Sequence, residues 1–600
     1  MRIVSIALLS LTATWSSLHA APPTSQQSAT AVDVSLWGDA PETVITLADD
    51  ATYLRRIMFD IVGRPATPGE LTAFGLDPSE DRRVTIVDEL LSSDAYGENW
   101  SHYWRDVIFL RATNIRAGIV RPAFDEWMAS QLNEGRGWHQ IANELLTPTG
   151  SVNNNGATAL IFAHEGVAEE VSAEASRIFV GIQIQCANCH DHPWDSWKRE
   201  QFHQFAAFFP RVSVRRDRNS DNMFDYEITS VNAERQRAAS ASRFLLTRAD
   251  RNRDGFISEE ESKNTQLARI FRGPAKSAID KNGDGKLSID EIATAQPPNA
   301  NQPGQGSAEH YMPDLQDPGS QGKQIDPGFF LTSTNSKVVS SLKPGMTDEL
   351  RRQKASEFLT SKDNPWFARA IINRMWYEMT GTAFYTPIDD IGPDRECTHE
   401  ETLNILTEGF AANDYDLKWL IRTIAATRTY QRAPDHTAEG FAHCEPIRLR
   451  SDQLYAALCQ TLGVESLPLR MTDGRRYAGA MQKLDQGREE FASIFGFDPS
   501  TPRDEITGNI PEALFMMNSQ LLERILATPG ESSVITHIAT NVLGEEDIVR
   551  ELYLNAIGRD PSTGELEIAM KHVSSNQSLR GGLEDLLWAL INSPEFSSRR

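Results

Sequence analysis

Six hundred residues, 40% of them hydrophobic and 24% charged, exceed one ordinary core and point to a soluble chain of two to four domains. The 59 Lys and Arg against 83 Asp and Glu leave a formal net charge of -24, which repels polyanions, so nucleic acid and anionic membrane surfaces are set aside as partners. Five cysteines are too few for a disulfide-stapled scaffold.

The first 21 residues read as a secretory signal peptide: one basic residue, an apolar run from Ile3 to about Leu11, then small residues ending in Ala20 and Ala21. Ser10, Thr12 and Thr14 break that run too early for a membrane span, and no later segment looks transmembrane. The chain is therefore expected to be secreted, periplasmic or held at the cell surface. Residues 22–45 are rich in Pro, Ser, Thr and Ala without periodicity and read as a disordered tether.

Folded structure is expected from about residue 46. In YLRRIMFDIVGRPATPGEL, Leu54, Ile57, Met58 and Ile61 recur at helical spacing, Gly63 stops the helix, and a second helix follows. Near the other end VRELYLNAIGRDPSTGEL repeats the pattern with Val549, Leu552, Tyr553, Ala556 and Gly558. Each copy continues into another apolar stripe, Ile86, Val87, Leu90 and Leu91 in the first and Leu586, Leu587, Leu590 and Ile591 in the second. A weaker third copy carries Leu420, Ile421 and Ile424. Recurring helical hairpins predict a mainly α, multi-domain fold. Another helix is expected from Asn364 as cap and Pro365 in the first turn to Gly381 as stop, burying Phe367, Ile371, Met375 and Met379.

QCANCHDH, residues 185–192, places Cys186, Cys189 and His190 in the CxxCH pattern of covalent c-type haem. Three positions bring both sulfurs to one side of a turn, and the histidine that follows can ligate the iron. Two other readings stay open. Cys186, Cys189, His190, Asp191, His192, Asp195 and His203 offer ligands for another metal, and Cys186 and Cys189 could form a local disulfide. Met312 and His203 are candidates for a sixth haem ligand. Cys397, Cys444 and Cys459 read as small buried hydrophobes.

Two stretches fit the twelve-residue EF-hand loop, DRNRDGFISEEE from Asp250 and DKNGDGKLSIDE from Asp280. The first offers Asp250, Asn252 and Asp254 oxygens, the Phe256 carbonyl, Ser258 at the water-mediated position and Glu261 to close the site. The second repeats this with Asp280, Asn282, Asp284, Lys286, Ser288 and Glu291, which predicts two calcium sites. Ile257 and Leu287 are placed to join the loops through a short antiparallel bridge. The pair is assigned to residues 232–296, and the breaker-rich residues 297–327 are read as a linker.

With these motifs on the page, residues 46–212 resemble the planctomycete-type, cytochrome-like DUF1549 (PSCyt2) domain, on FVGIQIQCANCHDHPWDSWKREQFHQFAAFF, YLRRIMFDIVGRPATPGEL and AYGENWSHYWRD. Residues 328–600 resemble its usual partner DUF1553 (PSD1), on NPWFARAIINRMWYEMTGTAFYTPIDDIG, THEETLNIL and IPEALFMMNSQLL. The EF-hand pair departs from that pattern as an insertion between the two. The resemblance implies a large secreted or periplasmic protein whose biochemical role it does not specify, and the name cytochrome-like rests on the same CxxCH.

The leading expectation is an exported calcium-binding protein carrying one haem c on Cys186, Cys189 and His190 for electron transfer or redox chemistry, with a redox partner protein or an extracellular substrate as its partner. The alternatives are an extracellular hydrolase acting on glycans, with Asp389 and Asp390 as its candidate acids, and a non-catalytic surface scaffold. No nucleotide loop, HExxH pair or GxSxG elbow occurs, and catalytic residues stay unassigned.

Overall fold

The computed structural model describes residues 21–231, 249–263, 280–291, 309–331, 342, 346–469, 486–527 and 533–599, apart from positions 40, 194, 218–219, 253, 281, 289–290, 318–319, 436, 439 and 507. The signal-like residues 1–20 and parts of the 232–296 and 297–327 segments lie outside this description. The described residues are mainly helical, as the periodicity predicts. The helices that matter below are α1 (Ser25–Trp37), α2 (Asp50–Val62), α3 (Pro68–Leu76), α4 (Arg82–Ser92), α5 (Ala168–Val180), α6 (Arg199–Ala206), α7 (Pro365–Thr380), α8 (Leu417–Ala426), α9 (Glu545–Ile557), α10 (Thr563–Ser575) and α11 (Leu579–Ile591). Sheet is confined to short pieces, of which β1 (Phe256–Ile257), β2 (Leu287–Ser288), β3 (His310–Met312) and β4 (Lys323–Ile325) bear on the sites.

The internal repeat is visible atom by atom. Gly63 and Gly558 both end their helices in the left-handed region, at φ 72° and 74°, where a side chain would strain the backbone. Thr67 with Glu70, and Ser562 with Glu565, then form capping boxes at the starts of α3 and α10. Arg64 pairs with Glu70 and Arg559 with Glu565, each at 2.8–2.9 Å through both terminal guanidinium nitrogens. Each copy is a three-helix unit, since α4 and α11 complete the hairpins. The copies also touch: the buried Arg55 guanidinium on α2 donates to the carbonyls of Ile557, Glu595, Phe596 and Ser598.

Two apolar cores result. One runs from Val32 to Phe441, the other from Leu449 to Phe596 with Phe59 reaching into it, so the cores part near residue 445 rather than at the EF-hand insertion. Helix α7 lies deep in the first, capped by the Asn364 side chain and ended by Gly381 at φ 82°, with Phe367, Ile371, Met375 and Met379 all buried.

Two expectations are corrected. Residues 22–45 are not a disordered tether, because Ser25–Trp37 is a helix with a Thr24–Gln27 capping box. Its own amphipathicity is weak, with Ala29 and Val32 the buried apolar residues, and tertiary contacts secure it. Trp37 Nε1 donates to Thr429 Oγ1 at 3.0 Å, and the Asp33 carboxylate accepts the Arg428 N–H at 2.9 Å, burial pushing its pKa up to about 6. Within the 297–327 linker, residues 309–327 hold a docked hairpin, β3 paired antiparallel with β4. Arg199 Nη2 donates to Pro313 O at 2.6 Å, and Lys323 pairs with Glu200 at 2.8 Å, fastening it to α6. Polar and backbone contacts hold this hairpin, so hydropathy does not reveal it.

Candidate functional sites

The two EF-hand loops fold alike. In each, the closing glutamate turns back into its loop: Glu261 Oε2 accepts from Ser258 N and Oγ at 3.0 and 2.7 Å, and Glu291 Oε2 from Ser288 N and Oγ at 2.9 and 2.8 Å. The bonds from Ser258 hold the Glu261 carboxyl below its usual range. Asp250 Oδ2 accepts the Gly255 N–H and Asp280 Oδ2 the Gly285 N–H, at 3.0 and 2.9 Å, across turns whose glycines sit at φ 85° and 80°. Asn252 with Asp254, and Asn282 with Asp284, continue the set through matching backbone bonds. The bridge joins them as expected, Ile257 opposite Leu287 and Phe256 opposite Ser288, with both aliphatic side chains fully buried.

One oxygen in each loop is left over. Asp250 Oδ1 and Asp280 Oδ1 are buried without a hydrogen-bond partner, a costly state for a carboxylate unless a cation completes it. With the Asn, Asp, Glu and carbonyl oxygens around them, this is the hard-donor set calcium takes.

The CxxCH turn is built differently. Helix α5 ends at Gly181, and the chain passes into a 3₁₀ turn over Ile184–Asn188 whose Ile184 and Ala187 point into the core. That anchoring leaves Cys186 and Cys189 outward, exposed and unbridged. His190 is exposed, and its Nδ1 donates to Asp191 O at 2.7 Å, which leaves Nε2 bare. Asp191 in turn accepts from Arg199 N and Lys198 Nζ at 3.0 and 3.1 Å.

Beneath the turn lies a buried imidazole pair absent from the sequence reading. Asn188 O accepts from His203 Nε2 at 3.1 Å, and His203 Nδ1 lies 2.9 Å from His310 Nε2, the rings stacked at 5.1 Å between centroids. A carbonyl only accepts, so Nε2 carries the His203 proton and His310 donates to Nδ1. His310 Nδ1 then faces Glu169 at 3.8 Å. Burial depresses both histidines, His203 to about 4 and His310 to about 3, and raises the Glu169 carboxyl. His203 and His310 are 107 positions apart, beyond the reach of any local motif.

Both ring nitrogens of His203 are engaged in hydrogen bonds, and Met312 is half-buried on β3. Among the described residues no group of three or more His, Cys, Asp or Glu converges as a metal cage, at the calcium loops or at the CxxCH turn, so this geometry does not choose between the haem and non-haem readings of Cys186, Cys189, His190, Asp191, His192, Asp195 and His203. The hydrolase pair also separates. Asp389 is buried between Arg177, 2.9 Å away, and Arg374; burial opposes its charge, but the two guanidinium groups win and hold the carboxyl well below its usual range. Asp390 pairs with Arg395 at 3.0 Å. The two carboxylates are thus engaged by different arginines, in different surroundings. Cys444 and Cys459 are buried as expected, while Cys397 is half-exposed.

Fold and loops together define a helical protein that carries a paired EF-hand. Comparison with protein families sharpens this: residues 37–214 match PSCyt2, a protein of unknown function (DUF1549), residues 351–458 match PSD1, a protein of unknown function (DUF1553), and residues 245–261 and 277–294 match the EF hand. The chain thus carries the two segments its motifs resemble, with the EF-hand pair between them. Searches of the curated proteins and of solved structures found no match.

Proposed function

We propose that the protein is an exported calcium-binding, cytochrome c-like protein, with two calcium sites and one covalent haem serving electron transfer or redox chemistry. The observation that carries the calcium half is the pair of buried, unpartnered oxygens on Asp250 and Asp280 at the same position of two matched loops. Bound calcium would complete both and cross-link each loop from its first residue to Glu261 or Glu291.

The haem half rests on Cys186, Cys189 and His190. Both thiols face solvent on one turn, and the Asp191 carbonyl fixes the His190 tautomer so that Nε2 is presented as a ligand. A haem held there would supply one-electron chemistry at its iron. This chain's own contribution is orientation: Lys198 and Arg199 hold Asp191, while His203 and Arg199 hold the Asn188 carbonyl. Export rests on the signal-like first 21 residues.

Two measurements on protein from a host with cytochrome c maturation test the reading. Calorimetric titration with calcium gives two binding events, and the haem signal stays with the polypeptide through denaturing electrophoresis. Absence of calcium heat overturns the first half. A haem-free mass with a Cys186–Cys189 disulfide or stoichiometric zinc overturns the second.

A further inference from the structure

Among the described residues, one ion pair crosses from one calcium loop to the other. Lys286, at the seventh position of the second loop, reaches across the β1–β2 bridge and places Nζ 2.8 Å from Asp254 Oδ2, a ligand oxygen of the first loop. The same carboxylate accepts the Phe256 N–H on Oδ1 at 2.9 Å and faces Asn252 Nδ2 from Oδ2 at 3.3 Å, so both of its oxygens are engaged. The Lys286 ammonium also lies 5.8 Å from the Phe256 ring centroid, which steadies it over the first loop. The seventh position of the first loop is Phe256, which has no charge to return; among the described residues Asp284 Oδ2 accepts from the neutral Asn282 Nδ2 at 3.0 Å and feels the Lys286 ammonium only at longer range, without a direct ion pair.

We infer that Lys286 is a built-in counter-cation of the first loop, which weakens calcium binding there and couples it to the second loop. This rests on the calcium reading above. An exposed ion pair adds little stability by itself. Its effect here comes from position, because calcium entering the first loop must share Asp254 with an ammonium or displace it. Lys286 also offers its own carbonyl to the second loop's ligand set. The residue that opposes calcium in one loop is therefore a component of the other, and the two sites load unequally, the second before the first.

Calorimetry on the full mature chain tests this with calcium alone as the probe. Asp280→Ala combined with Glu291→Gln removes two of the second loop's carboxylates and silences it, and adding Lys286→Gln to that pair is expected to tighten the remaining site by about fivefold, the scale of one exposed charge pair. Lys286→Arg in the same background keeps the charge and should keep the weaker affinity. Raising the ionic strength should shrink the gap between the Gln and Lys forms, which a purely structural role for Lys286 would not produce. An affinity unchanged or weakened by Lys286→Gln, in a chain that still binds calcium, overturns the inference alone. No calcium heat from the unsubstituted chain overturns the calcium reading and this inference with it.

Discussion

The EF-hand pair and the CxxCH turn are both short motifs with strict spacing, yet the fold treats them differently. Each calcium loop assembles its donors within twelve consecutive residues, and its bonds are almost all internal to the loop. The CxxCH turn supplies three donors but depends on distant chain: Ile184 and Ala187 in the core, Arg199 on α6, and His310 on β3 beyond the insertion. A contiguous site is carried by its own backbone. A turn of five residues must borrow its rigidity.

That contrast can be broken or sharpened by substitution. Under the haem proposal, replacing Cys186 and Cys189 by Ala should take covalent haem from one per chain to none, read by mass, while both calcium heats persist; loss of calcium binding in that variant would show the sites to be one unit. Glu261→Gln should weaken the first calcium site by on the order of tenfold or more, since it removes a closing charge and a ligand oxygen. The haem spectrum should not change.

His203→Ala should lower the unfolding free energy by about 1–3 kcal/mol, the cost of leaving buried polar partners unmade, while calcium titrations stay as they are. The same pair gives a pH signature. Because burial depresses both histidines, the unfolded chain takes up protons that the folded chain refuses. Their contribution is complete above the ordinary histidine value of 6.5 and is lost as pH falls from there toward about 4 and about 3. Denaturant titrations should show stability falling with acid below pH 7, the slope rising to at most about 1.4 kcal/mol per pH unit for each histidine near pH 5, and His203→Ala should flatten it. The smallest effect belongs to the repeat: Arg64→Ala should cost about 0–1 kcal/mol, because it removes one half-exposed pair, and Arg559→Ala should cost more than Arg64→Ala, because Arg559 also pairs with Glu595 at 2.8 Å.

The helical class, the repeat, the limits of α7 and the paired calcium loops were legible because each is written in neighbouring residues. Gly63 and Gly558 stop helices wherever they occur, and Ile257 and Leu287 occupy the same loop position. Helix α1 was not legible, since its stability comes from Thr429 and Arg428 beside α8 rather than from an apolar stripe of its own. The β3–β4 hairpin was hidden for the same reason, its composition being that of a linker and its anchors lying on α6. Asp389 and Asp390 looked like an acid pair in a row; three dimensions send them to different arginines.

The sequence by itself determined what short-range geometry can encode: helix starts and stops, the spacing of ligand oxygens in two calcium loops, and three donors on one turn. Tertiary structure alone decided which of those donors are held, freed or silenced. It stacked His203 on His310, buried Asp389 between two guanidinium groups and laid Lys286 across the first calcium loop. The physical reason is that desolvation and charge pairing depend on which atoms surround a group, and those neighbours come from segments whose separation along the chain carries no periodic signal.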